Sequence, residues 1–143
     1  MDGRFSMEEF RIKTETINRC IHRILDVVQN DIDKLLDLTK QDSVILNLMR
    51  SCEAAIDIAM HAVSLHKLGI PQNSRDTFDF LQKNKILTQE TAVNMKRMVG
   101  LRNNAVHDYQ AIQLAILESI IRAHLSDFHF ILAEMKDTGT SEG

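Results

Sequence analysis

The stretch Asp42 to Leu68, DSVILNLMRSCEAAIDIAMHAVSLHKL, decides the fold. Its apolar residues Val44, Ile45, Leu48, Cys52, Ala55, Ile56, Ala59 and Val63 recur every three or four positions, which is the spacing of one buried helix face. Gly69 and then Pro71 follow, in the usual order for a helix end. A helix of this length needs partners for its apolar face, and the rest of the chain supplies them in the same currency.

Upstream, Phe10, Ile17, Ile21, Ile24, Leu25 and Val28 form a second helical stripe that ends near Gln29. Ser6 with Glu9 reads as its capping box. Between the two stripes, residues 30–40 are mixed, with Leu35, Leu36 and Leu38 suggesting a short helix or helical loop. Downstream, a short helix starts at Asn73 or Ser74 and carries Phe78 and Leu81. Another follows Thr88, a good N-cap, with Val93, Met95, Met98 and Val99. A last long helix is expected after Asp108, running to about Met135 on Ile112, Ile116, Ile120, Ile121, Leu125, Phe128 and Leu132.

No segment alternates with period two, so no sheet is expected. The expected fold class is therefore all-α: an antiparallel up-and-down helical bundle of three long helices plus one or two short ones. One domain is expected over residues 1–136, with a flexible tail at 137–143 (DTGTSEG). Composition agrees. In 143 residues there are five Gly and one Pro, too few for the turns of a β-sandwich or barrel. Hydrophobic residues make up 44% and charged ones 26%, an ordinary globular balance. The net charge of −3 excludes a protein that coats nucleic acid by bulk positive charge, though not one with a local basic patch. Two cysteines, Cys20 and Cys52, lie in apolar helical patterns and form no disulfide framework. The opening MDGRFSMEEF has no apolar signal core, and no run reaches membrane-spanning length, so a cytoplasmic protein is expected.

Candidate chemistry narrows quickly. The six histidines include no i, i+4 pair, and there is no His-Glu-x-x-His, Cys/His cluster, G-x-G-x-x-G or Walker lysine, so no metal is expected. Glu53, Asp57 and His61 stand one turn apart along the second long helix. They form a polar stripe that reads either as a solvated face or as a polar wall lining a site or interface.

The segment Gly100 to Tyr109, GLRNNAVHDY, carries more. Arginine offers a permanent forked charge for phosphate, and histidine exchanges a proton near neutral pH. On one unbroken helix Arg102 and His107 diverge by about 140°. Asn103-Asn104 favours a break that would let them converge with Tyr109. The bare Arg/His spacing is weak evidence, because Arg122 and His129 match it too. The longer string R-N-x-A-V-H-x-Y is more specific.

That string, with Gly100-Leu101, LNLMRSCEAAIDIAMH (46–61) and NSRDTF (73–78), resembles the HEPN domain proteins of the HepT type, the toxin half of MNT/HEPN toxin–antitoxin pairs. The motif Arg-x4-His-x-Tyr stands as Arg102, His107 and Tyr109. The resemblance implies the toxin of a type II/VII-like toxin–antitoxin system: a homodimeric, metal-independent endoribonuclease with a composite cleft. It implies a small nucleotidyltransferase antitoxin that uses ATP to place AMP on Tyr109, silencing the toxin. Arg102 and His107 would be catalytic and Asn103 and Tyr109 supporting. Lys96, Arg97, Arg102 and Arg50 could form a local basic cleft for RNA, either tRNA or mRNA. The alternative is a non-catalytic helical partner of a nucleotidyltransferase, with Arg102 and His107 binding nucleotide. A purely structural dimer is the third reading.

Overall fold

The computed structural model describes residues 7–108 and 112–139, with side chains through residue 136. Ser6, half of the expected capping box, and Tyr109 lie outside the described residues.

The first helix, α1 (Met7–Val28), buries Phe10, Ile17, Cys20, Ile21, Ile24 and Val28. Leu25, expected in that stripe, is exposed. Gln29 and Asn30 both take left-handed backbone angles (φ 51° and 58°) and turn the chain. A short 3-10 helix (Ile32–Leu36) follows. Next comes α2 (Leu38–Leu65), the central element, starting four residues before the expected Asp42. The cause is local: the Asp37 side chain accepts a hydrogen bond from the Lys40 amide at 3.1 Å and caps the helix there. It ends earlier too, as Lys67 and Gly69 (φ 54° and 145°) unwind it.

The remaining helices are α3 (Ser74–Lys83), α4 (Gln89–His107), α5 (Leu114–Ala123) and α6 (Ser126–Gly139). Asn73 and Thr88 cap α3 and α4, accepting from the amides of Asp76 and Thr91. Among the described residues there is no strand.

Side-chain pairs fix the helix directions. Lys13, early in α1, meets Asp57, late in α2, at 2.9 Å. Ser74 at the start of α3 meets Arg102 late in α4 at 3.1 Å. Thr91 at the start of α4 meets Glu134 late in α6 at 2.6 Å. Each pair of helices is therefore antiparallel. The helix α2 touches α1, α3, α4 and α6, and its Ala55, Ala59 and Ala62 are small enough to let them close in. Phe78, Leu117, Phe128 and Met135 fill the centre with no exposed area. Each such side chain contributes roughly 1.5–3 kcal/mol through removal from water.

Three expectations change. The last long helix is two, α5 and α6, broken at His124–Leu125. The apolar stripe crosses this break without a Gly or Pro to announce it. Asp108 is the C-cap of α4 rather than an N-cap, and α5 begins after Gln113 with no side-chain cap. Finally, α6 runs on through Gly139, past the expected start of the tail at Asp137.

Candidate functional site

The motif segment lies at the C-terminal end of α4. The expected break at Asn103-Asn104 is absent: α4 continues to His107. Tertiary contacts override the weak helix propensity of the asparagines. Arg102 is the anchor. Its Nη1 donates to both carboxylate oxygens of Glu53 on α2 at 3.0 Å. Its Nη2 donates to Ser74 Oγ on α3 at 3.1 Å, and its Nε to Asn103 Oδ1 at 2.9 Å. The side chain is only 18% exposed, whereas that of Glu53 is 52% exposed. A guanidinium has five N–H donors, and four of these hydrogen bonds leave one Nη2–H unengaged by them. A phosphate could meet that hydrogen directly, and could gain a second by displacing the water-accessible Glu53 carboxylate.

Asn103 Oδ1 thus helps to hold Arg102 in place. His107 is the last helical residue and is exposed. Five residues after Arg102 on the same helix, it points about 140° away. One chain does not aim both groups at one point. Tyr109, the third motif residue, lies outside the described residues.

The polar stripe on α2 divides among partners. Glu53 belongs to Arg102, and Asp57 binds Lys13 of α1. His61, half-buried one turn further on, has an interaction of its own. Beneath Glu53 lies Cys52, whose thiol donates to the Met98 carbonyl at 3.8 Å. Burial, reinforced by the Glu53 charge and opposed by Arg102, pushes this thiol up to about 12. It is a protonated packing group and no nucleophile.

The expected basic cleft is split. Lys96 Nζ is 2.7 Å from Asp79 on α3, whereas Arg97 is exposed on the side of α4 that faces α5. Arg50 is exposed on α2. Arg75, in the first turn of α3, was not singled out. Its Nη2 lies 2.7 Å from where a Cβ on Gly100 would stand, so the glycine gives this guanidinium a bed against α4. The only trace of this in sequence is an arginine inside NSRDTF paired with a glycine inside a helix.

Comparison with known proteins bears on what this arrangement does. A family model described as ribonuclease HepT-like matches residues 17–135. The chain is 50% identical over 124 residues to the mRNA nuclease HepT of Shewanella oneidensis, covering 87% of this chain and 93% of that protein. It is 32% identical over 101 residues to the tRNA nuclease HepT of Aphanizomenon flos-aquae, covering 70% and 69%. Among solved structures, a toxin–antitoxin complex with AMP-PNP superposes with a TM-score of 0.86 at 47% identity, covering 90% of this chain and 98% of that one. The tri-AMPylated Shewanella oneidensis HEPN toxin in complex with MNT antitoxin gives 0.84 at 48%, covering 90% and 96%.

Proposed function

The chain belongs to the HepT-like ribonuclease family, and from that membership we propose that it is the toxin of a toxin–antitoxin pair, an endoribonuclease that works without metal. The observation that carries the catalytic assignment is the pre-set Arg102: a nearly buried guanidinium held by Glu53, Ser74 and Asn103, with the exposed His107 on the same helix end.

In this reading the RNA 2′-hydroxyl is the nucleophile. His107 takes the proton from the 2′-hydroxyl and gives it to the departing 5′ oxygen. Arg102 takes the charge that gathers on the phosphate. The 2′ oxygen forms a bond to phosphorus as the 5′ oxygen leaves, so one product ends in a 2′,3′-cyclic phosphate. DNA, with no 2′-hydroxyl, is not a substrate.

The 140° between Arg102 and His107 supports a composite site in a homodimer, in which the arginine of one protomer and the histidine of its partner face a single phosphate. A nucleotidyltransferase antitoxin, of the kind found with the HEPN toxin relative, would use ATP to place AMP on Tyr109. The added phosphate brings negative charge to the place where RNA must bind, two residues from His107. RNA is the substrate and a cytoplasmic site of action fits it. The relatives act on mRNA in one case and tRNA in the other.

Mixing tests the composite site. Arg102→Ala and His107→Ala homodimers should each be inactive on RNA. Subunits exchanged between them should recover about a quarter of wild-type activity, because half the dimers then hold one intact site. No recovery after verified exchange would place both groups in one protomer.

A further inference from the structure

A second cluster lies on the other side of α4. Here α4, α5 and the first turn of α6 enclose a cavity of about 310 Å³. That is the lower end of the roughly 300–1,000 Å³ range of small-molecule sites. Asp127 at its floor is buried, with 6% of its area exposed. Both of its carboxylate oxygens are occupied: Asn94 Nδ2 donates to Oδ1 at 3.3 Å, and His124 Nδ1 lies 2.9 Å from Oδ2. A carboxylate accepts, so His124 carries hydrogen on Nδ1; its Nε2 accepts in the neutral ring and donates to a phosphate when the ring is doubly protonated. Arg97 lines the same cavity, one helical turn from Asn94. Ile116 and Ile120, at successive turns of α5 before His124, give the cavity an apolar surface, and Ile116 remains 44% exposed.

An oriented imidazole, a guanidinium and an apolar surface in one cavity match a ligand with an anionic group and a flat ring. We propose that this cavity binds a nucleoside monophosphate, with its phosphate on Arg97 and His124 and its base against Ile116 and Ile120. The Asp127 carboxylate is engaged on both oxygens, by the His124 ring and the Asn94 amide. Helix geometry links the pocket to the motif. His107 is ten residues beyond Arg97, about 15 Å along α4 and only about 80° around it. A single strand lying along that side of the helix spans the distance in a few nucleotides. The nucleotide is either one unit of an RNA chain or a free mononucleotide, and only the first source rests on the ribonuclease reading.

The test uses the full chain carrying His107→Ala, so that RNA is bound and not cut. 5′-AMP and 5′-GMP are titrated by calorimetry, then a single-stranded RNA hexamer. Saturable mononucleotide binding is expected, weakened at least tenfold by Arg97→Ala and by His124→Gln. Arg97 is exposed, so its variant will fold even if the His124 variant does not. Arg102→Ala should leave mononucleotide binding in place. Absence of saturable binding at millimolar nucleotide, or equal affinity in wild type and Arg97→Ala, overturns the proposal. So does loss of binding in Arg102→Ala alone, which would put the nucleotide on the motif. The source is read separately with the His107-intact chain. Competition between AMP and RNA in cleavage identifies an RNA subsite, and binding without competition identifies a free-nucleotide site. A chain that binds AMP through Arg97 yet cuts no RNA keeps the pocket and removes the ribonuclease reading.

Discussion

Replacing Gly100 by alanine should separate the stability of this bundle from its activity. Gly100 sits inside α4, where glycine costs about 1 kcal/mol relative to alanine. The added methyl would meet Arg75 Nη2 at 2.7 Å and Arg75 Cζ at 3.9 Å, both belonging to one side chain. Arg75 is exposed, and the clashing atom is the free end of a long flexible chain. The guanidinium can swing away at little cost. The net effect should be a gain of about 0.5–1 kcal/mol, which for a domain of this size raises the melting midpoint by about 2–4 °C. Arg75 would meanwhile lose its bed on α4. If it helps to draw RNA phosphate to that end of α4, KM should rise several-fold with kcat nearly unchanged. Thermal melts followed by circular dichroism give the first quantity, and initial cleavage rates give the second. A fall in the midpoint of more than 2 °C would refute the reasoning, because it would mean that Arg75 is fixed firmly enough to outweigh helix propensity.

Other consequences follow from the same contacts. Glu53→Gln leaves an acceptor for Arg102 but removes the competing charge; it should lower KM for RNA several-fold at low salt, and a higher KM would show that the carboxylate positions the arginine instead. Cys52 has its folded pKa raised from 9.0 to about 12, so the stability it contributes is complete below pH 9 and is lost as pH rises toward 12, where the unfolded thiol has ionised and the folded one has not. Stability measured from pH 9 to 11 should therefore fall more gently in Cys52→Ala than in wild type; parallel curves would contradict this. Tyr109→Phe should cut RNA at nearly the wild-type rate and stay active in the presence of the antitoxin and ATP, whereas silencing of this variant would remove the tyrosine as the target.

Much of the architecture was legible because the signals were local. Asn73 and Thr88 announce α3 and α4 through hydrogen bonds to amides three residues on, and apolar spacing marks the buried faces of α1 and α2. The differences arise where distant groups decide. The α5–α6 break interrupts a continuous apolar stripe, with the His124–Asp127 contact spanning it. The asparagines at 103 and 104 stay helical because Glu53 and Ser74, remote in sequence, grip Arg102 between them. The longer string R-N-x-A-V-H-x-Y, not the bare spacing, singles out the motif residues, but the hold of Asn103 on Arg102 and the bed of Arg75 on Gly100 leave no such mark. Lys96 and Arg97 looked like one basic pair. Adjacent residues on a helix point about 100° apart, and here they serve different neighbours.

The most direct test is incubation of bulk RNA with the purified protein in excess EDTA, beside His107→Ala, once intact mass shows Tyr109 to be unmodified. Cleavage products with 2′,3′-cyclic phosphate ends are expected from the wild type and none from the variant. Intact RNA with verified unmodified dimer, or cleavage that survives loss of His107, would contradict it.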